Sequence, residues 1–210
     1  YTLYKAISII KLASDLREQF PYEFVPLFWN ASDDHDWAEV NHVQLLDSAG
    51  RLQRVEYPLD ARYAGWPVGE VPLDQGALVV LARVREILRD QGFADEVSAL
   101  LLESAEVSPT FGDWFSRLML TLFGKHGLIL VDPRLPEFKR LAIPLFEQAI
   151  DAPLLPSQLA NETGDALEAR GFPRQLHKDP NLCSFFVRVD GRRETVRYAK
   201  GTFQAGAQSY

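Results

Sequence analysis

A single cysteine, Cys183, stands among the 210 residues. One cysteine excludes an internal disulfide, and an unpaired thiol fits a reducing cytosol, so a cytoplasmic location is expected. No apolar run reaches bilayer-spanning length and no signal-peptide pattern opens the chain, so no membrane role is expected. Basic residues are the minority, 22 against 29 acids, for a formal charge of −7. Such a surface repels a phosphate backbone, and nucleic acid is not expected as a partner. Neither GxGxxG nor GxxxxGK[ST] occurs, so no phosphate-cradling loop is written in these residues. There is no internal repeat and no low-complexity stretch.

What is present supports an α/β domain. Hydrophobic residues make up 47% of the chain, enough for a real core. Leu3, Ala6, Ile7, Ile10, Ala13, Leu16 and Phe20 recur at helical spacing and predict a helix over 2–20, stopped by Pro21. The run 24–29, FVPLFW, suits a strand buried on both faces, although Pro26 sits inside it. The run 128–131, LILV, is a second such strand, closed by Asp132 and Pro133. Helix followed by buried strand is the grammar of a parallel sheet.

Between these strands the pattern predicts a hairpin (42–47 and 52–57) and a surface excursion over 58–72. Helices follow at about 74–90, capped by Asp74, and at 94–104. A third runs from a Ser108-Pro109 start to Phe123. Further on come helices at about 136–150 and 156–170, with Pro144 straining the first. A second hairpin (182–189 and 194–198) turns on Asp190-Gly191. The expected organisation is one domain over 1–210, with a mostly helical insertion at about 60–108 and a hairpin connecting segment at about 180–200.

The candidate site is the stretch after the first buried strand, NASDDHDWAEVNH over 30–42. Ligands collect at the carboxyl ends of parallel strands, and this segment lies at such an end. It holds Asn30, Ser32, Asp33, Asp34, His35, Asp36, Glu39, Asn41 and His42. If residues 33–42 form a short helix, His35, Glu39 and His42 share one face. If a strand starts at His42, only His35 and Glu39 stay paired. Helix capping and the helix dipole account for Ser32 and Asp33. They do not account for Asp34, His35, Asp36, Asn41 and His42 together. A histidine beside carboxylates can act as general acid or base, and the acidic surround favours an amine. A divalent metal on Asp34, His35, Asp36 and His42, serving a hydrolase, is an alternative, although the spacing matches no closed ligand motif. A non-catalytic binding module, with the cluster as a helix cap, is another.

Other features read as structural. Cys183 alternates with Phe185, Val187 and Val189, the pattern of a buried, inert thiol. Trp114, Leu118 and Leu122 at helical spacing read as core.

Three blocks, YTLYKAISIIKLA, VPLFWNASDDHDWAEVNH and FSRLMLTLFGKHGLILVDP, resemble in order and spacing the cysteine-adding enzymes of bacillithiol biosynthesis, the BshC family. The middle block is the most specific, since the family pattern there is PVFW-x-A-[SG]-[ED]-DHD-x-x-E-[VI]-NH. The resemblance covers essentially the whole chain, more loosely over 60–108 and 150–200. It implies a Rossmann-like parallel-sheet core with helical insertion and β-hairpins, similar to the class I aminoacyl-tRNA synthetase core. It implies a ligase that joins cysteine to glucosaminyl malate through an amide bond. ATP or a related nucleotide is suspected on the same ground, and the full-length protein would carry a coiled coil and form a homodimer.

By this resemblance Asp34, His35 and Asp36 are the catalytic group, and Asn41 and His42 belong with them as substrate-binding residues. Tyr1, Thr2 and Lys5 follow the family's GQQ-x-G-L-x-T-G-P loop and would also bind substrate. That loop does not occur here, nor do the family's later Arg-Pro and Gly-Gly-Pro-Gly-Glu patterns. The chain is therefore expected to be an internal portion of roughly the N-terminal half. Alone it would lack nucleotide-binding parts and activity.

Overall fold

A computed structural model describes residues 1–210. Its contacts group the chain into two compact units, 1–135 and 136–210. No helix is long and apolar enough to cross a membrane.

The first unit begins with α1 (Thr2–Gln19). Ala6 and Ala13 are its buried residues. Phe20 leaves the helix in an extended conformation, as a residue preceding proline must. Next comes β1 (Leu27–Trp29), which pairs in parallel with β4 (Ile129–Val131), Leu27 opposite Ile129 and Trp29 opposite Val131. Parallel pairing needs a long crossover, and everything between the two strands supplies it. Ala6, Met119 and Leu128 form the buried centre here, with Phe28, Phe115 and Leu130 packed on it.

The strands differ from expectation in two ways. β1 starts only at Leu27, because the buried Pro26 has no N–H to give; it contributes just its carbonyl, which accepts from Ile129 N at 3.0 Å. Nor is β1 buried on both faces. Phe28 points into the core, while Leu27 and Trp29 on the opposite face are 55% and 53% exposed.

The crossover begins with one helical turn, α2 (Trp37–Val40), and the hairpin β2 (His42–Leu46) and β3 (Leu52–Glu56). Asp47 builds the hairpin turn by accepting from the backbone of Ala49 and Arg51, and Gly50 supplies φ +73°. Helices α3 (Gln75–Leu88), α4 (Ala94–Glu106) and α5 (Phe111–Phe123) follow. Asp74 caps α3 as predicted, through Gly76 N, and also accepts a 2.6 Å hydrogen bond from Tyr57. Trp37, Tyr57, Val71 and Ala77 form a second buried cluster, with Phe111 edge-on to Trp37 at 4.8 Å.

Two local expectations fail here. Ser108 and Pro109 do not open α5; the cap is Thr110, whose hydroxyl accepts from Asp113 N. Ser108 instead donates to Ser104 O at 2.7 Å, and Pro109 O accepts from Leu73 N at 3.0 Å. The segment 58–72 is not merely a surface excursion, since Gly69 and Val71 are buried. Backbone pairing explains this: Phe111 N donates to Val71 O, and Val68 N and Gly69 N donate into the loop after β1.

The second unit holds α6 (Pro136–Leu141), α7 (Ile143–Asp151) and α8 (Leu155–Glu168), then an antiparallel sheet. Pro144 causes no strain, because the chain breaks at Ala142 and the proline falls in the first turn of α7. The hairpin of β5 (Leu182–Val189) and β6 (Arg192–Ala199) turns on Asp190 and Gly191, both at positive φ. Two further strands, β7 (Thr202–Ala205) and β8 (Gln208–Ser209), extend the sheet beyond the predicted hairpin. Cys183 is buried with Val196 and Ala205, and burial pushes its thiol pKa up.

Candidate active site

The two parallel strands end side by side, and their next residues are Asn30 and Asp132. Asn30 N donates to Val131 O at 2.9 Å, which carries the pairing one residue past β1. The Asn30 side chain turns inward, 6% exposed, and its Nδ2 donates to Ser116 Oγ at 3.1 Å and Gly112 O at 3.4 Å.

Ser32 is not a helix cap, because no helix starts there and α2 begins only at Trp37. It is 4% exposed and its hydroxyl donates to Asp132 Oδ1 at 2.7 Å. Arg134 donates to both Asp132 oxygens, from Nη2 at 2.6 Å and from Nε at 3.0 and 3.1 Å, and to Gly69 O from Nη1. Burial opposes ionisation of Asp132, but the Arg134 and Ser32 hydrogen bonds outweigh it and hold the carboxyl below the ordinary carboxylate range.

Two glycines let these groups meet. A Cβ on Gly69 would lie 2.5 Å from Ser32 Cβ, and one on Gly112 would lie 2.6 Å from Arg134 Nη2. The loop after β1 is thus tied to β4 through Ser32 and Asp132. It is tied to the 3-10 turn Val68–Glu70 through Val68 N to Asp34 O (2.6 Å) and Gly69 N to Ser32 O (2.8 Å).

This brace borders a cavity of about 480 Å³. Thr2 and Lys5 of α1, Asn30, Asp34, Asp36 and Glu39 are part of its polar lining, with Ser32 of the brace. Trp29, Phe111, Trp114 and Leu118 are part of its apolar wall, so Trp114 and Leu118, read as core, also face open space. Trp114 is held by hydrogen bonds from Nε1 to Ser104 Oγ (2.9 Å) and Leu101 O (3.3 Å). Three carboxylates against one lysine give the cavity an acidic lining suited to a cationic group.

Of the predicted site residues, the structure brings Thr2, Lys5, Asp34 and Asp36 to this cavity. His35 is not among the lining residues. Its exposed ring lies beside Asp34, Nδ1 to Oδ1 at 3.4 Å, and its backbone N donates to the same oxygen at 2.7 Å. Tyr1 precedes α1 and is exposed, its ring 4.7 Å from Lys5 Nζ, and it lines a separate groove with Tyr4 and Leu12. Residues 33–36 are not helical and β2 starts at His42, so no shared helix face carries His35, Glu39 and His42. Asn41 and His42 line a different, apolar cavity of about 330 Å³ beside the hairpin. There His42 Nδ1 and Asn41 Oδ1 are 3.1 Å apart, and Asn41 donates to Glu56 at 3.2 Å. Nowhere do three His, Cys, Asp or Glu side chains gather as a metal-ligand set, so the hydrolase alternative is not supported.

Asp132 and Arg134 are absent from the sequence-based candidates, because Asp132-Pro133 reads there as a strand stop. The rule that singled out residues after β1 applies equally to residues after β4.

The family model for "Bacillithiol biosynthesis BshC, N-terminal Rossmann-like domain" matches residues 1–210. Similar curated proteins bear the name "Putative cysteine ligase BshC". One from Solibacter usitatus is 35% identical over 95% of this chain and 37% of its own length. One from Natranaerobius thermophilus is 29% identical over 93% of this chain and 36% of its own length. One from Bacillus cereus is 26% identical over 100% of this chain and 39% of its own length. The chain therefore spans somewhat more than a third of the relatives it matches.

Proposed function

Because the chain belongs to the BshC family of bacillithiol biosynthesis, as its N-terminal Rossmann-like domain, we propose that its strand-end cavity binds the amine-bearing substrates of a cysteine ligase. The reaction is amide formation between the carboxyl of cysteine and the amine of glucosaminyl malate. The observation that carries this reading is the convergence of Asp34, Asp36 and Glu39 with Lys5 at the carboxyl ends of two parallel strands.

An amino sugar enters as an ammonium ion and must lose a proton before it attacks. Asp34 and Asp36 hold the cation, and Asp36 takes the proton that the amine loses as the C–N bond forms, while one carboxyl oxygen of cysteine departs with the group that has activated it. His35, beside Asp34 and open to solvent, passes protons outward. Lys5 pairs with a substrate carboxylate.

A nucleotide that activates the carboxyl does not fit this cavity, since three carboxylates would face its phosphates. The likeness to the class I aminoacyl-tRNA synthetase core and a homodimeric assembly belong to the same proposal, on family resemblance alone.

The test is amide formation by the full-length protein from cysteine and glucosaminyl malate, with ATP present, followed by mass spectrometry. Asp36→Asn lowers turnover by about 100-fold or more. Undiminished turnover in that variant contradicts the role.

A further inference from the structure

Asn30 is a buried polar residue that the proposed chemistry leaves unused. Its Nδ2 faces two acceptors, Ser116 Oγ and Gly112 O. That clamp fixes the orientation of the carboxamide, because a flipped amide would set Oδ1 against the Gly112 carbonyl. Oδ1 is therefore the free end, and no donor in the protein reaches it. The side-chain atoms buried without any partner lie elsewhere, at Trp37 Nε1 and Ser98 Oγ, so Asn30 Oδ1 keeps access to open space and a ligand can reach it. Asn30 is 6% exposed, and what it borders is the 480 Å³ cavity that also holds Asp34 and Asp36.

We propose that Asn30 is a specificity-determining binding residue whose Oδ1 accepts an N–H from a primary ammonium group in this cavity. The inference rests on the reading of the cavity as an amine site and assigns the atom that recognises the amine. The carboxylates supply charge, which any cation satisfies. A fixed neutral acceptor demands a hydrogen in one direction, and a site built so discriminates strongly against an analogue lacking that hydrogen. Two substrates of the proposed reaction carry such a group, cysteine and the amino sugar.

The experiment uses the full-length protein and two variants. Asn30→Ala removes the acceptor and the clamp; Ser116→Ala loosens the clamp and leaves the acceptor. KM is measured for cysteine and for glucosaminyl malate separately, each with the other saturating. The expected result is a rise of about tenfold or more in one KM for Asn30→Ala, with the other KM and kcat within about threefold, and a smaller rise for Ser116→Ala. The KM that moves identifies which amine Asn30 holds. The proposal is overturned if neither KM moves by more than about twofold, including the case where only apparent kcat falls, in proportion to folded protein lost by circular dichroism, or if both KM values rise alike.

A binding arm separates this from failure of the ligase reading. Cysteine, glucosamine and the amine-free 3-mercaptopropionate are titrated against intrinsic tryptophan fluorescence, to which Trp29 and Trp114 in the cavity wall contribute. If the wild-type protein forms no amide, the reaction assignment falls. The role of Asn30 then stands only if one amine binds the wild type at least about tenfold more tightly than Asn30→Ala while 3-mercaptopropionate does not distinguish them. Equal binding of every probe overturns it.

Discussion

Replacing Arg134 with methionine removes the guanidinium from the brace while roughly keeping its volume. The Arg134 and Asp132 side chains are 17% and 18% exposed, so solvent screens the pair only partly. Removing one partner of a fully buried pair costs about 3–5 kcal/mol, because the other charge stays behind unpaired. Here Asp132 keeps the Ser32 hydroxyl and the backbone N of residue 134, and Gly69 O loses its side-chain donor. The expected loss is about 2–3 kcal/mol, below the fully buried case. All four tryptophans, Trp29, Trp37, Trp66 and Trp114, lie in the first unit, so intrinsic fluorescence of the 210-residue chain reports that unit's unfolding alone. With a urea slope of about 1–3 kcal/mol/M, the midpoint falls by about 0.7–3 M. Adding Asp132→Asn removes the stranded charge, and the double variant recovers part of the loss. A midpoint within about 0.2 M of the wild type for Arg134→Met would refute the view that the pair braces the loop.

Gly69→Ala places a methyl 2.5 Å from Ser32 Cβ and 2.6 Å from Ser32 O, so backbone must move; a loss of about 1–3 kcal/mol is expected by the same urea assay. Amide hydrogen exchange at residues 68 and 69 should speed up in that variant, and unchanged protection counts against it. Tyr57→Phe deletes the hydrogen bond to Asp74 and costs about 1 kcal/mol. Burial, then the bond to Asp74, raises the Tyr57 pKa above its ordinary value, so the folded state holds the proton more tightly than the unfolded one. Its contribution is complete below the unfolded value of about 10 and declines as pH rises above it. The wild type therefore loses more stability than Tyr57→Phe between neutral pH and strong alkali, measured by urea midpoints across pH. A parallel decline removes the linkage.

Much of the fold is legible because it rests on local signals. The 3.6 period marks α1, Asp74 marks the start of α3, and Asp190-Gly191 marks the β5–β6 turn. The failures at residues 67–69 and at Ser32 share one cause, which is a partner distant in the sequence. Pro67 and the glycines around it look like a surface loop until Ser32 O and Asp34 O claim the amides of Gly69 and Val68. Ser32 looks like a cap because serine before acids usually is one, yet its partner is 100 positions away at Asp132. Position after β1 singled out Asp34 and Asp36, and the structure brings both to one cavity wall. Position alone could not separate Asn41 and His42, which the start of β2 carries to a different cavity. Block resemblance reached further than periodicity, since the family model covers the same 210 residues.

The central claim is that the cavity behind Asp34 and Asp36 takes an amine during amide formation. The most direct measurement is a crystal structure of the full-length protein with cysteine and glucosaminyl malate bound. The account predicts an ammonium nitrogen within hydrogen-bond distance of an Asp34 or Asp36 carboxylate, inside the cavity lined by Thr2, Lys5 and Asn30. Both amines bound elsewhere, with this cavity holding only water, would contradict it.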